Sequence, residues 1–280
     1  MKRAVFNQKG GVGKTSITCN LAAAFAKAGR KVLVVDLDAQ ANSSKYLLGD
    51  DLSKVKNNIA DFFASTLSFK LFKDSLKDTI YPTEFDNLHV IPAGQNLKEL
   101  QPKLEGRYKI FKLAEAIDAT IDRLAFDDVF FDTPPALNFY SMSSMMAADK
   151  VLIPFDCDAF SLDAIIQVMD AVDEVAEDHR PNLEVEGIII NQFQAQAKLP
   201  RETVDSLLSK DLNVLSPYLS SSVAMRESHS ASVPLVFYKP SHKLAKEFED
   251  LAANLAKGQK KKSKSAKKTR ATAKASEASV

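Results

Sequence analysis

The sequence feature that most constrains the fold is a glycine-rich segment near the start of the chain. Residues 7–16 read Asn-Gln-Lys-Gly-Gly-Val-Gly-Lys-Thr-Ser, between a short apolar run at 4–6 and an alanine-rich helical pattern at 17–28. A phosphate-binding loop requires this order of strand, loop and helix, because glycines let backbone N–H groups surround an anion and a helix N-terminus favours negative charge. The segment therefore predicts an α/β fold with a nucleotide site after its first strand.

Two side chains of this loop suit a nucleoside triphosphate bound with Mg²⁺. Lys14 is expected to reach the β- and γ-phosphates, and the Thr15 hydroxyl is expected to ligate the metal. An ordinary glycine turn is the alternative. The other loop residues expected to hold the phosphates are Gly10, Gly11, Val12, Gly13 and Ser16.

The loop departs from the pattern G-x-x-x-x-G-K-[ST], because Gln8 stands at the first glycine position and a second lysine, Lys9, follows it. In this it resembles the deviant P-loop ATPases of the ParA/MinD superfamily, whose loop reads K-G-G-x-G-K-T. The resemblance implies ATP as the nucleotide and a homodimer in the ATP-bound state. It also implies that Lys9 reaches the nucleotide of the partner subunit, which makes Lys9 and Lys14 the expected catalytic lysines.

Two further apolar runs end in acids. The run at 31–38 contains Asp36 and Asp38, and the run at 128–132 ends in Asp132. Asp132 is placed like a Walker B aspartate and is predicted to hold Mg²⁺ through a water, with a helix cap as the alternative. Because side chains alternate along a strand, Asp36 and Asp38 are expected on one side, facing a γ-phosphate. Two solvated acids at a strand end are the alternative.

The motifs around these acids extend the resemblance. F-F-D-T-P-P around Asp132 resembles the family's D-x-P-P, and D-L-D-A-Q-A-N from Asp36 resembles D-x-D-P-Q-x-N with Ala39 in place of proline. The resemblance implies that Asp38 orients the hydrolytic water, that Asp36 supports the metal shell, and that hydrolysis is slow. It further implies adenine contacts from two residues that read equally well as strand-end turn residues. These are Asn191 and Pro217.

Apolar runs alternate with helical patterns through most of the chain. The alternation predicts a three-layer α/β fold of the P-loop NTPase type, with helices flanking a mostly parallel, twisted sheet. Right-handed crossovers then bring the phosphate loop and the acids to one edge of the sheet. Strands are expected at 4–6, 31–38, 88–92, 128–132, 151–155 and 185–191, with short candidates at 214–215 and 235–237. Helices are expected at 17–28, 111–124, 162–177, 201–208 and 242–255, with short helices within 43–87.

The composition changes at the end of the chain. Residues 258–280 are rich in Lys, Ser, Ala and Thr without an aromatic residue, so we expect a disordered basic tail after an ATPase domain at 1–257. From Lys257 onward there are nine basic residues and one acid, whereas the preceding residues include 28 basic and 35 acidic ones, a net charge of −7. Basic charge is therefore concentrated in the tail.

Two regions are candidates for holding non-specific DNA, the partner that the resemblance implies. The segment at 221–234 resembles the family's V-R-L-S-E-A-P-S-H-G-K-P, but the arginine used on DNA falls on Ala224, with Arg226 two residues later. The tail offers salt-dependent contacts to duplex phosphates, with a purely solubilising role as the alternative. The tail residues expected to contact DNA are Lys260, Lys261, Lys262, Lys264, Lys267, Lys268 and Arg270.

The implied function is that of a ParA-like (Soj-like) partition switch. The ATP-bound dimer holds DNA, and a ParB-like or cargo adaptor protein stimulates hydrolysis and release. The alternative is an ATP-dependent biosynthetic enzyme of the same superfamily, of the cobyrinate-amidating or dethiobiotin-forming type. The amidating kind carries an added glutaminase domain, for which this chain has no room.

Composition bears on location. No run approaches the roughly 20 apolar residues of a membrane-spanning helix, and the early first strand leaves no room for a signal peptide. The two cysteines, Cys19 and Cys157, form no disulfide framework and are expected to be buried as small hydrophobic residues. We therefore expect a cytoplasmic protein without membrane insertion, and the resemblance implies that it associates with the nucleoid.

Overall fold

A seven-stranded sheet forms the centre of the computed structural model, which describes residues 1–68, 76–157 and 162–258. The strands are β1 (Lys2–Val5), β2 (Val32–Asp36), β3 (Tyr81–Pro82), β4 (Leu88–Ile91), β5 (Asp128–Asp132), β6 (Lys150–Asp156) and β7 (Glu184–Asn191). Their order across the sheet is β3-β4-β2-β5-β1-β6-β7. All neighbouring strands are parallel except β3 and β4, which are antiparallel.

Helices cover both faces of this sheet. In chain order they are α1 (Lys14–Lys27), α2 (Asn42–Leu48), α3 (Ile59–Leu67), α4 (Leu97–Glu105), α5 (Lys112–Leu124), α6 (Phe139–Ala147), α7 (Leu162–Asp178), α8 (Lys198–Leu208), α9 (Val223–Ser230), α10 (Leu235–Tyr238) and α11 (243–258). Short 3-10 turns lie at Gly49–Lys54, Leu76–Thr79 and Lys109–Phe111. Among the described residues, no helix combines the length and the apolar character that crossing a membrane requires.

Side chains of successive strand residues enter two separate cores. In β2, Val32 and Val34 belong to the core that contains side chains of α1, α2, α10 and α11, whereas Leu33 and Val35 belong to the core that contains side chains of α3 to α8. All four side chains are fully buried, because a parallel strand with helices on both faces has no solvent-facing side. The predicted three-layer α/β fold is confirmed.

The strand register sets the position of the functional edge. Strand β5 lies between β2 and β1, and Asp132 at its end pairs with Asp36 of β2 and with Val5 of β1. The phosphate loop follows Val5 directly. Three adjacent strands therefore deliver the loop and two acids to the same level of the sheet.

The predicted strand at 235–237 was wrong, because this apolar run forms the helical turn α10. The turn begins directly after Pro234, and the Leu235 N–H donates to Asn20 Oδ1 of α1 at 2.7 Å. Leu235 and Val236 are fully buried in the core beside α1. A run of three apolar residues has no period that separates a strand from a helix.

Smaller differences occur at the edges of the sheet. Val214 makes one isolated parallel bridge to Ile188 of β7 where a short strand was predicted. Helix α8 begins before Pro200, which is tolerated because first-turn N–H groups have no intrahelical partner. Of the short helices predicted within 43–87, α2 and α3 are present, and residues 69–75 lie outside the described residues. The predicted tail lies outside them beyond Gly258.

A buried charge network stabilises the edge of the sheet opposite the phosphate loop. The Arg3 side chain is fully buried in β1, and its Nη1 donates to Asp128 Oδ1 at 3.0 Å. Its Nε donates to Glu186 Oε2 at 2.5 Å, and Arg30 also pairs with Asp128. The guanidinium thus joins β1, β5 and β7 across the sheet.

We expect Arg3→Met to lower the free energy of unfolding by about 3 kcal/mol, because the variant removes one of the two arginines that pair with the buried Asp128 carboxylate and also the partner of Glu186. Urea unfolding followed by circular dichroism measures this loss. Lys54→Met is the matched control, because it removes an ion pair whose lysine side chain is 77% exposed. Equal stability of the two variants would contradict a structural role for the network.

Candidate nucleotide site

The phosphate loop ends in an uncapped helix N-terminus. Gly13 is the N-cap of α1 with φ 89°, a left-handed conformation that favours glycine, and an added Cβ would overlap Asn191 Nδ2. The Ile17 N–H donates to Gly13 O at 2.9 Å, whereas the N–H groups of residues 14–16 precede the first intrahelical bond. These N–H groups together with the positive end of the helix dipole suit an anion.

The Lys14 side chain is held inside the loop. Its Nζ donates to Asn7 O at 3.0 Å and to Lys9 O at 2.6 Å. Burial is the main cause that lowers the pKa of Lys14, which the charges of Asp132 and Asp38 oppose. The arrangement places the ammonium at the centre of the loop, where arriving phosphate oxygens can replace the two carbonyl groups.

Asn7 fixes the loop to the sheet. Its Nδ2 donates to Pro154 O of β6 at 2.8 Å, and its Oδ1 accepts the Lys9 N–H at 2.9 Å. The backbone of Lys9 is thereby fixed, and the residue is half-buried. Lys9 is not one of the described residues that line the cavity over the loop.

Asp132 has the surroundings of a magnesium-binding carboxylate. Its Oδ2 accepts the Thr15 hydroxyl at 2.7 Å and the Ser43 hydroxyl at 2.6 Å. Its Oδ1 is buried with no hydrogen-bond partner in the part of the chain that the structure describes. An orphaned buried carboxylate oxygen beside hydroxyl groups fits a hard cation such as Mg²⁺, which prefers oxygen ligands. Thr15 and Asp132, both predicted metal ligands, are thus brought together.

The two acids of the second strand have different surroundings. Asp38 lines the cavity, and its role facing a γ-phosphate stays a prediction. Asp36 is fully buried and accepts Ser44 Oγ at 2.7 Å, Ser44 N–H at 2.8 Å and Asp38 N–H at 3.1 Å. The strand ends at Asp36, so alternation no longer sets the direction of Asp38. The two carboxylates therefore do not face the cavity together.

Ser43 and Ser44 are site residues that the sequence reasoning missed. They occupy the first turn of α2, after Ala41 in a left-handed conformation, and each donates its hydroxyl to one buried acid. Ser44 Oγ also accepts the Ala93 N–H at 2.9 Å. The sequence feature that could have indicated them is the pair of hydroxyl residues directly after the D-L-D-A-Q-A-N motif.

Asp36 and Asp132 titrate at unusually high pH. Burial is the main cause that raises the pKa of Asp36 from 3.8 to about 7, the charge of Asp132 adds to it, and the hydrogen bonds from Ser44 oppose it. Burial also raises the pKa of Asp132 from 3.8 to about 6, against the hydrogen bonds from Ser43 and Thr15. A bound cation would relieve this accumulation of negative charge.

Two adjoining cavities open on the loop. The first has a volume of about 670 Å³ and is lined by Lys14, Thr15, Asp38, Tyr46 and His229, among others. Its size and walls suit a polyphosphate. Neither aromatic residue of this wall was predicted as a site residue.

The second cavity, of about 460 Å³, shares part of its lining with the first, including Ser16 and His229. Asn191, a predicted adenine contact, lines it and donates from Nδ2 to Val12 O at 2.9 Å. Arg226 lines it as well. Pro217, the other predicted adenine contact, is half-buried. It is not one of the described residues that line either cavity.

Comparison with known proteins decides the family. The family described as "AAA domain" matches residues 2–185. The chromosome partitioning protein ParA of Myxococcus xanthus is 30% identical over 256 residues, which span 90% of this chain and 87% of that protein. The chain belongs to the ParA-like P-loop ATPases. The sporulation initiation inhibitor protein Soj of Bacillus subtilis is 29% identical, over 90% of this chain and 97% of Soj.

Solved structures resemble the ParA-like chain over most of its length. Cobyrinic acid a,c-diamide synthase from Mycobacterium smegmatis, with bound ADP and magnesium, has a TM-score of 0.78 at 24% identity and covers 92% of this chain and 95% of its own. That likeness shows the fold alone. The septum site-determining protein MinD from Pyrococcus horikoshii, complexed with Mg-ADP, has a TM-score of 0.70 at 27% identity and covers 91% and 94%.

Stability should depend on pH through Asp36. Because its pKa is raised by folding, its stabilising contribution is complete below about pH 3.8 and is lost as the pH rises through about 7. In metal-free buffer, the free energy of unfolding should fall between pH 5 and 7 more steeply in the wild type than in Asp36→Asn, by up to about 1.4 kcal/mol per pH unit. Urea titrations at successive pH values measure the slope. Asp50→Asn, at an exposed acid, should keep the wild-type slope, and the same slope in Asp36→Asn would contradict the assignment.

Proposed function

We propose that this ParA-like chain is an ATP-dependent dimerising ATPase that binds non-specific DNA and positions or segregates DNA or another cargo. The observation that carries the proposal is the junction of the phosphate loop with Asp132. There Thr15 and Ser43 share one carboxylate oxygen, and the other has no hydrogen-bond partner among the described residues. Lys14 at the centre of the loop supports the same reading. A purely structural loop has no need of a buried ammonium beside buried acids.

ATP with Mg²⁺ is the proposed ligand. The N–H groups of residues 14–16 and the Lys14 ammonium bind the phosphates, and Thr15 and Asp132 hold the metal, with Asp36 as a supporting acid. Mg²⁺ supplies positive charge against the phosphate oxygens as charge develops on them. Asp38, on the cavity wall, orients the attacking water. A site that relies on positioning and electrostatics without a strong base is expected to hydrolyse ATP slowly.

Lys9 is proposed to act between two subunits. Its backbone is fixed by Asn7 and Lys14, so its side chain starts from a defined point at the rim of the loop. In an ATP-bound homodimer it contacts the nucleotide of the partner subunit. Because this contact requires the bound nucleotide, we expect the dimer to form with ATP and to separate after hydrolysis.

DNA binding is proposed for the dimer, through the basic tail and Arg226. Ala224, at the position of the family's DNA-contacting arginine, is buried in α9, whereas Arg226 is exposed on the same helix. The tail residues 259–280 lie outside the described residues, and their proposed role comes from their charge. A ParB-like or cargo adaptor protein would stimulate hydrolysis, and the proposed location is the nucleoid in the cytoplasm.

An ATP-dependent biosynthetic enzyme is the second candidate. The fold likeness to cobyrinic acid a,c-diamide synthase supports this candidate. A nucleotide site of this kind can also serve an amidating or dethiobiotin-forming reaction. Such an enzyme has no use for nucleotide-dependent DNA binding, so DNA retention separates the two candidates.

We expect the full-length protein with Mg-ATP to bind a random 30-bp duplex at least about tenfold more tightly than with Mg-ADP, because only the dimer presents two sets of DNA contacts. Fluorescence anisotropy measures binding, and sedimentation measures dimerisation. Lys14→Ala should lose nucleotide binding. Lys9→Ala should keep nucleotide binding but lose the dimer and the ATP preference.

Two controls sharpen this experiment. Lys54→Ala removes an exposed lysine away from the loop and should behave as the wild type. A chain ending at Lys257 should bind DNA more weakly and with a smaller salt dependence, because each lost phosphate contact removes about one unit from the slope of log affinity against log salt. DNA affinity that ignores the nucleotide would contradict the switch. An unchanged truncated chain would contradict only the role of the tail.

A further inference from the structure

A histidine from a distant part of the chain lies against the phosphate loop. His229 of α9 has its Nε2 2.8 Å from Ser16 Oγ, in the first turn of α1. Its ring stacks on Tyr46 of α2 with a centroid distance of 3.8 Å and an interplanar angle of 17°. The imidazole lines both cavities and so lies where they meet beside the loop.

The surroundings of the ring fix its position. Tyr46, on which it stacks, is buried, and its hydroxyl lies 2.8 Å from Ser228 Oγ of α9 and accepts Asn20 Nδ2 of α1 at 3.2 Å. The Ser222 hydroxyl caps α9 by accepting the Ala224 N–H at 3.1 Å. Three helices therefore hold His229 in one place without a ligand present.

The neighbouring Ser16 lies where an anion is expected. Its N–H is one of the groups at the N-terminus of α1 without an intrahelical partner, and the half-buried residue lies on the cavity wall. A phosphate oxygen bound by this helix end lies within one hydrogen-bond length of Ser16. His229 Nε2 lies 2.8 Å from the Ser16 hydroxyl, on the wall of the same cavity, so we expect both side chains beside that anion.

We propose that His229 is a phosphate-binding residue of the nucleotide site, donating from Nε2 to the phosphates together with Ser16. The proposal deepens the function proposed above, since it requires that the cavity takes a nucleotide. It assigns to α9 a direct part in holding ATP, in addition to the loop, Asp38 and Asp132.

The charges around the ring indicate how it responds to the ligand. Burial lowers the pKa of His229. The charged residues on the walls of its two cavities are Lys14, Lys45 and Asp38 in the first and Arg226 in the second. Burial therefore favours the neutral imidazole in the free protein. The phosphates of a bound nucleotide place negative charge beside the ring and favour its protonated form.

Histidine NMR of the full-length protein tests the proposal directly. The chain has four histidines, so ring-labelled protein gives four resolvable titration curves, and His229→Asn identifies the one that belongs to His229. With Mg²⁺ and a non-hydrolysable ATP analogue, the pKa of His229 should rise by at least about one unit, because opposite charge within about 6 Å favours the charged form. Adenosine, which has no phosphate, should leave it unchanged, and the other three histidines serve as internal references.

Calorimetry gives a second, independent readout. By linkage, a rise of one unit in the pKa of His229 makes the affinity for the analogue depend on pH. Below the pKa of the free protein the analogue should bind about tenfold more tightly than above the pKa of the bound protein, beyond any pH dependence of the analogue itself. His229→Asn retains a hydrogen-bond donor but does not titrate, so it should lose this additional factor. A His229 that titrates identically with and without bound analogue, or equal pH dependence in both proteins, would overturn the proposal. Absence of analogue binding to the wild type would instead refute the nucleotide site itself.

Discussion

The structure depends on the register of three adjacent parallel strands. Because β5 lies between β1 and β2 with Asp132 opposite both Val5 and Asp36, the phosphate loop and two buried acids meet at the same level. Hydrogen bonds of the sheet hold this register, and side chains buried on both faces prevent it from slipping. The charge network around Arg3 joins two of these strands, β1 and β5, to β7 at the other end of the sheet. The site is thus a consequence of how the sheet is assembled.

Concentrating acids at this edge has an electrostatic cost. Asp36 and Asp132 are fully or almost fully buried, and burial raises the pKa of both. The hydroxyls of Ser43, Ser44 and Thr15 offset part of the cost. Asp132 Oδ1 has no hydrogen-bond partner within the part of the chain that the structure describes. A protein that keeps such a site in its core is prepared for a cation, and this connects the ligand-free geometry to the proposed use of Mg-ATP.

Local sequence was sufficient for the parts of the site that are built from contiguous residues. The glycine loop and the runs ending in Asp36 and Asp132 carry their structure in spacing and composition, and the parallel sheet followed from the alternation of elements. The run at 235–237 was misassigned because its conformation depends on Asn20, more than 200 positions away. His229 was not predicted as a site residue for the same reason, since nothing near it in the sequence indicates that α9 packs against α1 and α2. Asp36 is buried by Ser44, a contact made only once α2 is placed.

The central claim is that Asp132, held by Ser43 and Thr15, binds the cation that accompanies the nucleotide. The most direct test compares the affinity for a non-hydrolysable ATP analogue with and without Mg²⁺ in the wild type, Asp132→Asn and, as a control, Asp50→Asn. Mg²⁺ should tighten binding in the wild type and in the control, by about tenfold or more if the metal contributes at least about 1.4 kcal/mol, and should have little effect in Asp132→Asn. The same Mg²⁺ enhancement in all three proteins would contradict the account.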